Sequence, residues 1–128
     1  MIDTCQSTFA ELASVVLPGD MIRLRTAMKK PHRLKEFCTA GAGVKSILRR
    51  LGRTIDFSGC YIFTRGKKPF YVGISRGVIG RLRQHGTGKT HFDASLAYRM
   101  ACEKAPHKMT RSMAMKNTKF QKQFQDAQ

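Results

Sequence analysis

Residues 59–64, Gly-Cys-Tyr-Ile-Phe-Thr, and residues 70–74, Phe-Tyr-Val-Gly-Ile, are the two stretches that decide the fold. Both are rich in aromatic and β-branched residues, which are enriched in strands. Residues 65–69, Arg-Gly-Lys-Lys-Pro, lie between them and have the composition of a turn. The two stretches therefore predict a β-hairpin.

Residues 1–52 have the pattern of several short helices. Thr8 and Glu11 have the spacing of a capping box. Pro18-Gly19 predicts the end of the helix that they begin. Three further helical segments are expected: a basic amphipathic stretch at 20–30, one starting at Pro31, and one from Val44 that stops at Gly52.

Helical patterns also follow the hairpin. The expected helices run from Val78 to Gly86-Thr87-Gly88, from an N-cap at Asp93 to Cys102, and through Phe120 and Phe124. Residues 112–116 are an alternative weak strand. We therefore expect an α+β fold in which a β-hairpin is flanked by helices, with a helical N-terminal extension over residues 1–56.

The charge of the chain points to an anionic partner. Lys and Arg number 24 and Asp and Glu number 8, so the formal net charge is +16. No acidic residue lies between Asp56 and Asp93, whereas this interval contains Arg65, Lys67, Lys68, Arg76, Arg81, Arg83 and Lys89. Such a block favours phosphate and predicts salt-sensitive binding to nucleic acid. An acidic protein or a membrane surface is the alternative partner for this charge.

Other features of the sequence exclude several classes of protein. No apolar run approaches the roughly 18 residues of a membrane span. Asp3 and Glu11 flank the first short apolar stretch, which is the wrong charge for a secretory signal. The four cysteines, at 5, 38, 60 and 102, lack the pairing of a zinc ribbon. We expect a cytoplasmic protein with reduced thiols and no membrane partner.

Gly88-Lys89-Thr90 has the form of the end of a phosphate-binding loop. The first glycine of that loop would have to stand at position 83, which is Arg83. We therefore expect no nucleotide cofactor.

Four residues around the hairpin could form a site for phosphate chemistry. The hairpin places Tyr61 and Tyr71 on neighbouring strands, and the next helix can return Arg81 and His85 to the same end. Arginine offers a fork of donors to phosphate oxygens and can neutralise charge in a transition state. Taken singly, the tyrosines are compatible with cross-strand packing, and Arg81 and His85 with surface or capping roles.

This combination resembles the GIY-YIG nuclease family. The hallmark tripeptides of the family match Gly59-Cys60-Tyr61 and Tyr71-Val72-Gly73, followed by Arg81 and, four residues later, His85. The resemblance covers residues 57–100, so that residues 57–128 are expected to form a GIY-YIG-like domain with a basic tail at 104–128. The hairpin would be the remnant of a small three-stranded sheet.

The resemblance implies an endonuclease that hydrolyses DNA phosphodiester bonds with one divalent metal, usually Mg²⁺. Tyr61 would be the base for the attacking water, Tyr71 and His85 would orient it or accept its proton, and Arg81 would stabilise the phosphorane. Gly59 and Gly73 would allow close packing of the strands. The residues expected to position phosphates are Lys67, Lys68, Arg76, Arg83 and Lys89.

The family's metal-binding glutamate has no clear counterpart. Glu103 comes too early for the family pattern, and Asp126 would serve only if residues 112–116 formed the third strand. The metal ligand is therefore not identified, and the expectation is that the chain ends before the metal-binding segment. The alternatives to a nuclease are a non-catalytic nucleic-acid-binding module of this fold and a basic domain that binds an acidic protein.

Overall fold

The computed structural model describes residues 5–128, so Asp3 lies outside the described residues. The chain divides into two compact units, Met1–His32 and Arg33–Gln128. The boundary predicted from the sequence, between the N-terminal extension and the second domain, was at 56/57 instead. The difference arises because Phe37, Ile47 and Leu48 are buried in one cluster with Ile79, which ties residues 33–56 to the second unit.

The first unit is a helical segment without buried side chains among its described helices. Helix α1 (Phe9–Glu11) begins with the predicted capping box of Thr8 and Glu11. A π-helical turn (Leu12–Val16) and helix α2 (Leu17–Met28) follow directly. The prediction that Pro18-Gly19 ends the helix was wrong. The Leu17 N–H reaches back to the carbonyl of Leu12 in a widened turn, which leaves Pro18 in the first turn of α2, where its missing N–H costs little.

The second unit begins with two short helices. The helix expected after Pro31 is only a 3₁₀ turn (Leu34–Phe37), whereas helix α3 (Val44–Arg50) forms as predicted. Gly52 follows α3 with a φ of 70°, the left-handed conformation that favours glycine. The buried side chains of these helices pack against helix α4 (Val78–Thr87) through Ile79.

The hairpin is confirmed, and with it the α+β fold class. Strands β1 (Gly59–Arg65) and β2 (Lys68–Ser75) are antiparallel, and they form the two-stranded sheet of the described residues. The turn is shorter than expected, with only Gly66 and Lys67 between the strands. The register pairs Phe63 with Tyr71 but Thr64 with Pro69, so Phe70 is the extra residue of a β-bulge.

Three helices complete the second unit around their own core. Helices α5 (Ser95–Lys104), α6 (Arg111–Lys116) and α7 (Thr118–Asp126) bury Ala97, Tyr98, Ala101, Ala114, Phe120 and Phe124. The alternative strand at 112–116 was wrong, since these residues belong to α6. Asp93 is not the N-cap of α5 either, because its carboxylate accepts the Thr90 hydroxyl at 2.7 Å and α5 begins two residues later.

Within residues 5–128, none of the helices combines the length and apolarity that crossing a bilayer requires. The four cysteines are unpaired thiols.

Candidate active site

One face of the hairpin carries the aromatic side chains of the predicted site. Tyr61 pairs with Gly73 and Phe63 with Tyr71, and directly paired residues project to the same face of a sheet. The Tyr61 and Tyr71 ring centroids are 6.3 Å apart, and the Phe63 and Tyr71 rings are 5.7 Å apart. The two tyrosines therefore lie on one side of the sheet, as the resemblance requires.

The opposite face of the hairpin is apolar and exposed. Val72 and Ile74 keep 61% and 83% of their surface in contact with solvent. Cys60, which pairs with Ile74, is also exposed.

Gly73 leaves the space into which the Tyr61 ring fits. A Cβ atom at position 73 would lie 2.2 Å from Cζ and 2.4 Å from the hydroxyl oxygen of Tyr61. Tyr61 is buried, so its ring cannot simply swing away. The predicted close packing therefore applies to Gly73. At Gly59 the nearest atom to a Cβ would be a methyl of Val78 at 3.5 Å, an ordinary contact.

Helix α4 brings His85 to the tyrosines. The His85 side chain is 3% exposed, and its Nε2 lies 2.8 Å from the Tyr61 hydroxyl oxygen. The centroid of its ring is 5.6 Å from those of Tyr61 and Tyr71 and 5.1 Å from that of Phe63. Its Nδ1 is buried and has no hydrogen-bond partner among the described residues. We refer to Tyr61, Tyr71 and His85 as the aromatic cluster.

Asp56 holds the start of α4 in place, and sequence reasoning missed this role. Its carboxylate accepts the backbone N–H groups of Ile79 at 3.0 Å and Gly80 at 2.9 Å, as well as that of Phe57 at 2.8 Å. Asp56 thus acts as a helix cap from more than 20 residues away in the chain. The one available signal was that Asp56 is the last acidic residue before the acid-free block.

Arg81 lies beside the aromatic cluster and also joins α4 to the start of α5. Its Nη1 donates to the carbonyl of Asp93 at 2.8 Å, and its Nη2 donates to the Ser95 hydroxyl at 3.3 Å. The guanidinium is also close enough to Tyr61 and His85 to act on the pKa values of both. The structure therefore brings Tyr61, Tyr71, Arg81 and His85 together. Part of the hydrogen-bonding capacity of Arg81 is used in the contacts with Asp93 and Ser95 at the start of α5.

The protonation of the cluster follows from burial. Burial, together with the nearby positive charge of Arg81, lowers the pKa of His85 to about 4, so that the imidazole is neutral at pH 7. Burial also raises the pKa of Tyr61 despite the opposing effect of Arg81, so its phenol stays protonated. At neutral pH the cluster is therefore a neutral phenol hydrogen-bonded to a neutral imidazole.

The five predicted phosphate-positioning residues do not share one surface. Lys67 lies in the exposed hairpin turn, and Arg76 and Lys89 are exposed beyond the ends of β2 and α4. Arg83 differs from them, because its Nη1 is buried and has no hydrogen-bond partner within residues 5–128. Burial raises the pKa of the Cys38 thiol, and the positive charge of Arg83 opposes this rise. Arg83 therefore lies on the side of α4 that packs against residues 34–38.

Lys68 belongs to a groove between the hairpin and α5. This groove has a volume of about 450 Å³ and is lined by Arg65, Lys68, Phe70, Tyr71, Leu96, Arg99, Met100 and Glu103. We call it the hairpin groove. Sequence reasoning placed Arg65 in the basic block but assigned no site role to Phe70 or Arg99. The helical spacing of Leu96, Arg99, Met100 and Glu103 on α5 could have shown that they share one face.

The described residues do not supply a good magnesium site. No group of three or more His, Cys, Asp or Glu side chains converges within residues 5–128. Glu103 is the one carboxylate of the hairpin groove, where Arg65, Lys68 and Arg99 oppose the binding of a cation. Asp126 falls in α7, so the strand on which its role depended is absent from the described chain. The donor set thus fits an anion better than Mg²⁺.

No protein-family model, curated protein or solved structure matches this chain. The resemblance to the GIY-YIG family therefore stays a prediction, carried by the residues of the hairpin and α4.

Proposed function

We propose that the chain is an endonuclease of the GIY-YIG type that hydrolyses phosphodiester bonds of DNA in the cytoplasm. The observation that carries this proposal is the buried hydrogen bond between Tyr61 and His85, which lies next to Tyr71 and Arg81. The net charge of +16 supports an anionic substrate. The free cysteines are in keeping with a reducing compartment.

The cluster can accept the proton of an attacking water. Tyr61 does not act as a free phenolate, because burial raises its pKa. Instead the water gives its proton to the Tyr61 oxygen while the Tyr61 proton passes to Nε2 of His85, and the water oxygen bonds to phosphorus. The bond from phosphorus to the leaving oxygen then breaks, and this oxygen takes a proton from solvent while the imidazolium returns its proton through Tyr61 to solvent.

Substrate binding makes His85 a better base. In the free protein the charge of Arg81 opposes protonation of His85. A phosphate bound at Arg81 offsets that charge and favours the imidazolium, so the pKa of His85 rises in the complex. Tyr71, whose ring is 5.6 Å from that of His85 and 6.3 Å from that of Tyr61, would orient the water, and the guanidinium of Arg81 would balance charge on the phosphorane.

Magnesium would supply Lewis-acid stabilisation of the phosphate if it were bound. The residues that the structure describes do not fit a metal held by the protein, and none of the steps above depends on one.

Nicking of supercoiled plasmid tests the proposal. Wild-type protein is expected to nick the plasmid in at least one of three buffers, which contain Mg²⁺, Mn²⁺ or EDTA. The rate of nicking by Tyr61→Phe and by His85→Gln is expected to be at least 100-fold lower. Tyr98→Phe is the matched control, since it removes a buried phenol oxygen that lies beside His107 in the other core. Absence of nicking by folded wild-type protein in every buffer would overturn the proposal.

A non-catalytic nucleic-acid-binding module is the second candidate function. The observation that favours it is the poor metal site, with Glu103 as the single carboxylate among three cations. DNA binding that persists in Tyr61→Phe and Arg81→Ala, without nicking in any buffer, would support this function. Absence of DNA binding at low salt would favour the basic domain that binds an acidic protein.

A further inference from the structure

The hairpin groove adjoins the aromatic cluster through Tyr71, which lines the groove and lies 5.6 Å from the His85 ring. We propose that this groove holds one unpaired nucleobase next to the scissile phosphate. The preferred substrate is then single-stranded DNA and not intact duplex. This inference rests on the proposed function and adds the class of DNA that the site takes.

Phe70 provides a surface on which a base can stack. It is the bulge residue of β2 and is 48% exposed, and its ring lies 6.4 Å from that of Phe63. The guanidinium carbon of Arg65 lies 5.4 Å from the centre of the Phe70 ring. This cation–π contact keeps the ring in position before DNA arrives, so stacking requires little further ordering. Aromatic and arginine surfaces of this kind are used to stack unpaired bases.

The charges of the groove suit a nucleotide. Arg65, Lys68 and Arg99 can contact the phosphates on either side of the base, while Leu96 and Met100 form an apolar wall. The volume of about 450 Å³ is within the range of small-ligand sites and is too small for a duplex. A paired base in a duplex has both faces covered by its neighbours, so only an unpaired base can use Phe70.

Glu103 gives the groove a preference among bases. A carboxylate accepts hydrogen bonds and cannot donate them, so it can pair with the exocyclic amino group of cytosine. Thymine carries a carbonyl oxygen at the same position, which would face the carboxylate unfavourably. The groove should therefore hold cytosine more tightly than thymine, which is a role for Glu103 that does not involve a metal.

Binding of fluorescent oligonucleotides at low salt tests the inference. We expect oligo-dC to bind at least 10-fold more tightly than a duplex of the same length. Phe70→Ala should weaken oligo-dC binding about 5- to 150-fold, the usual effect of losing one base stack. Phe92→Ala is the matched control, because Phe92 is 75% exposed and lies outside the groove. Glu103→Gln should reduce the preference for oligo-dC over oligo-dT.

The outcomes separate this inference from the proposed function. Equal binding of duplex and oligo-dC, or equal effects of Phe70→Ala and Phe92→Ala, would overturn the inference while plasmid nicking continued to support the nuclease. A nuclease-negative protein that still binds oligo-dC through Phe70 would support the groove and overturn the catalytic proposal. Circular dichroism of both phenylalanine variants checks that each is folded.

Discussion

The Tyr61 hydroxyl on β1 and Nε2 of His85 on α4 lie 2.8 Å apart in a buried environment. This bond links the hairpin to the helix that follows it. Burial keeps the imidazole neutral, because it lowers the pKa of His85 to about 4. The protonation of this pair affects both the stability of the fold and the chemistry proposed for it.

The pH dependence of stability should report the burial of His85. The unfolded state binds a proton at the ordinary pKa of 6.5 and the folded state only at about 4, so unfolding takes up a proton between these values. The free energy of unfolding should be constant above pH 6.5 and fall by about 2–3 kcal/mol as the pH drops to 4. Urea unfolding between pH 7.5 and 4.5 measures this slope. In His85→Gln most of the slope should be absent, and an unchanged slope would contradict the assignment.

The pH dependence of cleavage should show the effect of substrate on the same residue. For free protein and substrate, kcat/KM should fall with decreasing pH through about 4, where His85 becomes protonated. Because bound phosphate raises the pKa of His85, the acid limb of kcat should lie at a higher pH than that of kcat/KM. A basic limb from Tyr61 should lie above the ordinary tyrosine value of 10.0. Coincident acid limbs of kcat and kcat/KM would be evidence against an effect of bound phosphate on the pKa of His85.

The two motif glycines should differ sharply in their tolerance of alanine. Gly73→Ala places a methyl group 2.2 Å from the Tyr61 ring, so we expect a loss of about 1–3 kcal/mol and disruption of the Tyr61–His85 bond. Gly59→Ala meets only an ordinary contact at 3.5 Å and should remain within about 1 kcal/mol of wild type. Urea unfolding of the two variants provides the comparison. Equal costs would show that the Tyr61 ring is not held against Gly73.

Asp56 should contribute to the stability of the protein, although it lies outside the motif. Burial acts to raise the pKa of Asp56, but the backbone N–H groups of Gly80, Ile79 and Phe57 outweigh this effect and lower it. Asp56→Asn removes the charge from the start of α4 and should destabilise the protein by about 1–2 kcal/mol. Asp20→Asn is the control, since Asp20 makes an exposed pair with Arg23 and should cost less than about 1 kcal/mol. Both values can be measured by thermal or urea unfolding at pH 7, and a similar loss in the two variants would refute the capping role.

The parts of the fold that follow local rules could be predicted from the sequence. The hairpin, α3 and the Phe120–Phe124 helix each carry a strong local pattern, and all three are present. The stop at Pro18-Gly19 was wrong because the helical conformation continues from a π-helical turn (Leu12–Val16) into α2, with Pro18 in the first turn of α2. The boundary at 56/57 differed because burial of Phe37 and Leu48 depends on contacts with α4, which no local pattern reveals.

The candidate site was predictable only in part for the same reason. Motif spacing was enough to bring together Tyr61, Tyr71, Arg81 and His85. The cap at Asp56 and the hairpin groove both join residues that are far apart in the chain, so neither could be derived from spacing. The positive charge of Arg83 suggested a contact with phosphate, but one of its guanidinium nitrogens is buried. The number of charges in a segment therefore does not show which of them are available to a ligand.

Tyr71 borders both the His85 ring and the hairpin groove. In the proposed nuclease, nucleotide binding and cleavage therefore share the Tyr71 side chain, so a substitution at this residue is expected to alter KM and kcat together. Groove residues outside the aromatic cluster, such as Arg99 and Met100, are expected to alter the affinity alone, so α5 is an element through which new sequence preferences could be engineered.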